Sequence, residues 1–329
     1  MDASAYRELK IAPAAVFESL AERGDKPRFM VPQPDGWRAV TWNGFARAIR
    51  SVACGMKARG FESGEHAAIF APNRVEWASA ALGIQAAGGV MVPIYPSSTA
   101  DQAGYVVEHS DATVLFVDTP GLLQRLADAG EALAGVHTVV ALDDALVTGD
   151  GPLADKLVGW SQLAQLGEAR HRDDPERFDR EMAAIELDAY GLMLYTSGTS
   201  GRPKGVPLTH RNVAVNGRDW LECNAPLLEV DSEVDLLWLP MSHIFGFGEM
   251  CLGNTLGFTT WLCSPLEVLD RVIEVRPTVF MSVPSLWEKF AIAAVAPGVG
   301  AESTGEARKA RLEAVTGGRL RFCLSGGAG

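Results

Sequence analysis

Cysteine is scarce in this chain and never paired. The five residues Cys54, Cys223, Cys251, Cys263 and Cys323 are an odd count among 329 and form no C-x-x-C motif. That pattern excludes a regular disulfide framework, and since each sits in an apolar run, reduced core thiols are expected. Long hydrophobic runs are also missing. The stretch from Phe245 to Leu262 comes nearest to a bilayer span, but glycines and Glu249 interrupt it. Positive charge is the third shortage: 29 Lys and Arg against 41 Asp and Glu leave a net charge of −12. The basic residues are scattered, so no face is expected to follow a nucleic-acid backbone or an anionic membrane. Met1-Asp2-Ala3-Ser4 lacks the basic-then-apolar order of a secretory signal. A cytoplasmic location is expected, with peripheral membrane contact and homodimer formation left open. No internal repeat or low-complexity tract occurs. What the chain does have is 47% hydrophobic residues, enough to bury one large core or two smaller ones.

Helix-period and strand-like segments alternate along nearly the whole length. This predicts an α/β fold of layered, largely parallel sheets flanked by helices. Thr41 is expected to cap a helix whose Phe45, Ala48, Ile49 and Val52 share one face, with Gly60 as its stop. Strands are expected over 67–71, 90–94, 113–117 and 138–142, with helices from 73, over 102–109 and over 121–133 between them. The polar stretch 143–188 reads as a connection carrying two short helices, which divides the chain into subdomains of about 1–188 and 189–329. A strand over 192–195, a Gly-rich loop and a helix over 210–223 follow. Four more strands are expected over 236–239, 259–263, 279–283 and 320–324. The last runs into Ser325-Gly326-Gly327-Ala328-Gly329, so the chain is expected to be a piece of a longer one.

The chemistry concentrates in Tyr195-Thr196-Ser197-Gly198-Thr199-Ser200-Gly201-Arg202-Pro203-Lys204-Gly205. Glycines let backbone N–H groups approach phosphate oxygens, the four hydroxyls add donors, and Lys204 adds positive charge. Ser/Thr/Gly clusters after strands are usually plain loops, but a solvent-facing loop has no need of this density. The spacing is not that of a Walker A loop, which places its lysine directly after a glycine and a hydroxyl directly after the lysine. Here Arg202 and Pro203 intervene and Gly205 follows.

This segment closely resembles the phosphate-loop signature of the adenylate-forming superfamily, which includes acyl-CoA synthetases, luciferase and peptide-synthetase adenylation domains. The likeness extends to Gly88-Gly89-Val90-Met91-Val92-Pro93-Ile94-Tyr95-Pro96, to Tyr105 through Val114, and to Leu239-Pro240-Met241-Ser242-His243-Ile244-Phe245-Gly246-Phe247. A lone histidine at a strand end is more often a packed or capping residue than a catalytic one. The resemblance instead implies that His243 positions the substrate carboxylate, with Phe245, Gly246, Phe247 and Pro284 near the acyl entrance. Core packing is the plainer reading of each aromatic taken singly. Ser325, Gly326, Gly327 and Ala328 resemble the start of the family's adenine-binding motif.

The reaction that the resemblance implies joins a carboxylate to AMP at the expense of ATP, then passes the acyl group to the thiol of coenzyme A. It implies catalytic roles for His243, Lys204 and Thr196, with Ser197 through Gly201 and Lys204 on the outer phosphates. Mg²⁺ would be shared between phosphate oxygens and Thr196, and a hydroxyl alone holds this hard cation weakly. The segment Arg276 to Lys289 resembles long-chain acyl-CoA synthetases most, so fatty acid, ATP and CoA are the expected partners. As an N-terminal portion, the chain is expected to be inactive alone. Alternatives remain: an acyl-AMP ligase feeding a carrier protein, an aryl- or medium-chain-acid CoA ligase, a non-catalytic nucleotide- or acyl-binding module and, weakest, a generic P-loop NTPase.

Overall fold

The runs 67–70, 90–94 and 114–117 are apolar without alternation, which marks strands covered on both faces. In the computed structural model, which describes residues 6–196, 202–294 and 305–327, they form the buried centre of a sheet. In chain order the strands are β1 (Pro27–Gln33), β2 (Gly36–Thr41), β3 (His66–Phe70), β4 (Val90–Ile94), β5 (Ala112–Val117), β6 (Thr138–Ala141), β7 (Leu157–Gly159), β8 (Tyr190–Thr196), β9 (Lys204–Thr209), β10 (Val234–Leu237), β11 (Thr259–Leu262), β12 (Val279–Ser282) and β13 (Phe322–Ser325).

The chain forms two compact units. One comprises Tyr6–Gly24 and Trp42–Asp219; the other comprises Asp25–Thr41 and the described part of Trp220–Gly329. We call them the N-terminal and C-terminal units. The N-terminal unit is built on a sheet of order β7-β6-β5-β3-β4-β8-β9, parallel throughout except for the final pair. Its core gathers Phe70, Val92, Ile94, Leu115, Val117 and Leu126, with the 100–109 helix supplying Ala103, Val106 and Val107. The C-terminal unit has a sheet of order β13-β12-β10-β11-β1-β2, again parallel except for its last pair. Phe280, Leu236, Val272 and Phe290 lie in its core. Fully burying an apolar side chain of this size contributes roughly 1.5–3 kcal/mol.

Several local expectations change. The interval read as loop before the helix holds a second strand, Lys204–Thr209, antiparallel to β8, while the helix His210–Asn224 begins where expected. As the edge strand β9 tolerates Pro207, which the interior of a sheet would not. The helix expected over 121–133 stops at Asp128 and resumes as a 3₁₀ turn from Gly130, whose φ is +56°. The polar connection carries the two expected helices, Trp160–Asp173 and Arg177–Ala183, the first longer than expected at 14 residues, and adds the short strand β7. The cysteines are all free, but only Cys54 and Cys263 are buried and Cys251 is half-buried. Cys223 and Cys323 are exposed, contrary to expectation. Cys323 alternates outward on β13, an edge among the described strands, opposite the buried Phe322; Cys223 stands between Glu222 and Asn224 at a helix end. Among the described residues no helix is long and apolar enough to cross a membrane.

Candidate active site

In an open parallel sheet, ligands bind beyond the carboxyl ends of the strands, where neighbouring strands send their connections to opposite sides. In the C-terminal unit that point lies between β10 and β12, because the chain leaves β10 for β11 on one side and then returns to β12 on the other. Three stretches emerge there: 238–243 after β10, Val283 and the helix Pro284–Ala294 after β12, and Gly326-Gly327 after β13. Two indoles brace them. Trp238 donates to the carbonyl of Met281 (3.2 Å) and Trp287 to that of Leu324 (3.2 Å), while the N–H of Gly326 donates to Ser282 (3.1 Å). Pro284, Trp287, Glu288, Cys323, Leu324 and Ser325 line a cleft of about 300 Å³.

His243 is the N-cap of the helix Ile244–Leu256, and its Nδ1 accepts the N–H of Phe245 at 3.1 Å. An accepting Nδ1 is unprotonated, so the neutral ring carries its proton on Nε2. Gly246 lets the first turn press against the strand exit: a Cβ there would stand 2.4 Å from the Pro240 carbonyl oxygen and 2.8 Å from that of Leu239. The Phe245 ring covers the backbone of Gly326 and Gly327, where added Cβ atoms would stand 3.4 and 3.5 Å from it. His243, Phe245, Gly246, Ser325, Gly326, Gly327 and Pro284 therefore cluster around one sheet end. Phe247 is turned into the body of the unit, 1% exposed. Ala328 lies outside the described residues.

A polar cluster that sequence reading missed holds this helix in place. Fully buried Arg28 donates from Nε to Asn254 (2.8 Å), from Nη1 to Thr260 (2.7 Å) and from Nη2 to the Met250 carbonyl (3.0 Å), with its guanidinium over the Phe29 ring. The Thr260 hydroxyl donates on to Asp235 Oδ2 at 3.1 Å. Glu249 lies against Asp235, and neither its oxygens nor Asp235 Oδ1 meet a donor among the described residues. Burial, first, and then the neighbouring carboxylate push Glu249 well above the usual carboxylate range. Burial likewise raises Asp235 to about 6, against the opposing pull of Glu249's hydrogen bond, Arg28 and Thr260. A proton held by Glu249 and donated to Asp235 satisfies both acids. The available signal was Glu249 itself, an acid inside the most apolar run of the chain.

In the N-terminal unit the corresponding topological switch, between β3 and β5, is filled by Arg74, which bonds Glu76 (2.7 Å) and Asp118. The open chemistry of this unit sits instead on the β8–β9 hairpin. Thr196 and Lys204 are partners across its mouth, both exposed. Ser197, Gly198, Thr199, Ser200 and Gly201 lie outside the described residues. Below the mouth, the Tyr195 hydroxyl meets His109 Nδ1 at 2.8 Å, and burial pushes the Tyr195 phenol up to about 12. Tyr105 donates to the Pro203 carbonyl at 3.0 Å and lies under the Arg202 guanidinium. Among the described residues no group of three or more His, Cys, Asp or Glu could hold a metal ion.

The sequence model of the family described as "AMP-binding enzyme" matches residues 16–329. The chain belongs to that family. A curated relative, the long-chain-fatty-acid–CoA ligase FadD15 of Mycobacterium bovis, is 33% identical over 283 residues, covering 84% of the chain and 44% of the relative. The chain thus spans less than half of that relative's length. Among solved structures, the anthranilate CoA ligase AuaEII in complex with anthranoyl-AMP superposes with a TM-score of 0.75 at 20% identity, over 99% of this chain and 56% of that one. The long-chain-fatty-acid-CoA ligase FadD1 from Archaeoglobus fulgidus gives 0.73 at 19%, over 98% and 64%. At those identities the two structures speak for the fold of the chain alone.

Proposed function

We propose that this protein takes part in the ATP-dependent activation of a fatty acid and its transfer to coenzyme A. The observation that carries the reading is the pairing of β8 with β9, which presents Thr196 and Lys204 side by side at the two ends of a hydroxyl- and glycine-rich segment of the sequence. The naming of the 33% identical relative supports the acyl class. A carboxylate is a poor electrophile, because attack adds charge to an anion and must expel oxide. In the proposed first step a carboxylate oxygen bonds to the α-phosphorus of ATP as the bond to pyrophosphate breaks. In the second, a thiolate sulfur bonds to the acyl carbon and AMP leaves.

The protein's part in the first step is placement and charge compensation. Lys204 would offset negative charge on the outer phosphates, the Thr196 hydroxyl and the segment between them would supply donors, and Thr196 would help hold Mg²⁺, which would add positive charge there. At the C-terminal unit's sheet end, the Nε2–H of His243 is a donor for the substrate carboxylate. Phe245, Gly246 and Pro284 would border the acyl chain, and the backbone at Ser325 to Gly327 the adenine. CoA as the acceptor and a cytoplasmic location belong to the same proposal.

The test is carboxylate-dependent exchange of pyrophosphate into ATP by the full-length protein, across long-chain, medium-chain and aryl acids. Fatty-acid-dependent exchange that Lys204→Ala lowers by roughly 100-fold or more, the loss typical of one charge-stabilising group, is the expected result. Exchange that ignores the fatty acid, or is unchanged by Lys204→Ala, would refute the reading.

A further inference from the structure

We infer that Tyr105 and His109 are positioning residues that tie down the two ends of the β8–β9 hairpin and so set where Thr196 and Lys204 stand. The inference rests on the proposed role of that hairpin in holding ATP. Residues four apart share one face of a helix, and the helix Ala100–His109 turns these two toward opposite ends of the same turn. Tyr105 reaches the exit. Its hydroxyl must be the donor to Pro203, since a carbonyl only accepts. His109 reaches the entrance, through the Tyr195 hydroxyl. Arg202, the residue before Pro203, places its guanidinium 5.2 Å from the centre of the Tyr105 ring.

The rings also pack as one cluster. Tyr195 stands edge-on to Tyr105 (6.3 Å, 84°) and to His109 (5.7 Å, 82°), while Tyr105 and His109 are 5.2 Å apart. The helix that carries two of them is itself well fixed, because Thr99 and Gln102 close a capping box at its start. The hairpin mouth is less so. The β8 ladder to β4 pairs Met91 with Leu192, toward the far end of the strand from Thr196, and β9 is the sheet's edge. Gly205 fits the same arrangement, since a Cβ there would stand 3.2 Å from the Tyr195 ring. Nothing in the proposed chemistry uses the phenol or the imidazole directly; they act through the backbone at Pro203 and the side chain of Tyr195.

A merely structural pair of hydrogen bonds would affect every ligand alike, whereas positioning of the mouth concerns only ligands with outer phosphates. The experiment titrates the full-length protein, as wild type, Tyr105→Phe, His109→Ala, His109→Asn and Lys204→Ala, with MgATP, magnesium pyrophosphate and AMP, and records Tm. Tyr105→Phe and His109→Ala should weaken ATP and pyrophosphate by roughly 3- to 10-fold, the worth of one hydrogen bond, with AMP affinity and Tm unmoved. His109→Asn, whose amide can stand in for Nδ1, should recover most of the loss. Equal weakening of AMP, or unchanged affinities in both variants while Lys204→Ala weakens ATP, would overturn the positioning role. If Lys204→Ala also leaves ATP and pyrophosphate unmoved, the reading of the hairpin as the phosphate holder is what fails.

Discussion

Replacing Glu249 by glutamine tests whether a shared proton holds the helix that begins at His243. Asp235 has a folded value near 6 against 3.8 for an ordinary aspartate, and Glu249 is raised well above 4.5. Raised acids bind protons that the unfolded chain has already lost, so stability falls as pH rises from the ordinary carboxylate range toward each folded value. Up to about pH 6 both acids contribute. The Glu249 proton adds a further loss with rising pH until that group ionises. Glutamine keeps the shape, donates an amide hydrogen to Asp235 Oδ1 and has no proton to lose. Asp235 is then left with Arg28 from β1, Thr260 from β11 and a neutral partner, while Cys251 on the same helix, pushed up to about 12 by burial, stays a thiol. Urea denaturation at pH 6, 7 and 8 should show wild type losing stability as pH rises and Glu249→Gln losing less. An infrared band from a buried protonated carboxyl should be present in wild type and absent in the variant. Parallel pH slopes, or the same band in both proteins, would refute the shared proton.

Two further outcomes follow from buried neighbours. Gly246→Ala puts a Cβ against two backbone carbonyls, so overpacking of about 1–3 kcal/mol and a raised KM for the acid in pyrophosphate exchange are expected. Gly248→Ala, which meets nothing within 4 Å, should stabilise by up to about 1 kcal/mol, and a similar loss in both variants would argue against the contact. His210 titrates in the opposite sense to the acid pair: burial against Gly191 lowers it from 6.5 to about 4. Its contribution is therefore complete above pH 6.5 and is lost as pH falls toward 4, by about 3 kcal/mol in all. Denaturation of wild type and His210→Leu at pH 4.5 and 7 checks this, and an unchanged acid limb in the variant would contradict it.

What could be read from the sequence follows from how many faces an element buries. Central strands such as β3, β4 and β5 are covered on both sides and appear as uninterrupted apolar runs with boundaries nearly right. The β8–β9 and β1–β2 hairpins lie at sheet edges, where one side is exposed and Gly205 and Pro207 break an already short alternation. Joining β1 to β11 needs a contact across most of the chain, and no local pattern announces it. The site divides in the same way. His243 was read both as a cap and as a substrate-positioning residue; the structure shows the cap, and the bond from Phe245 N–H, by occupying Nδ1, leaves on Nε2 the proton that the proposed function uses. Glu249 was visible only as an interruption. Its sense comes from Asp235 on a strand and from Arg28, whose partner Asn254 is 226 residues away. A buried acid is tolerable only where such partners converge, so the charge that looked like a flaw in an apolar helix instead marks where the fold fixes that helix, and with it the histidine at its start.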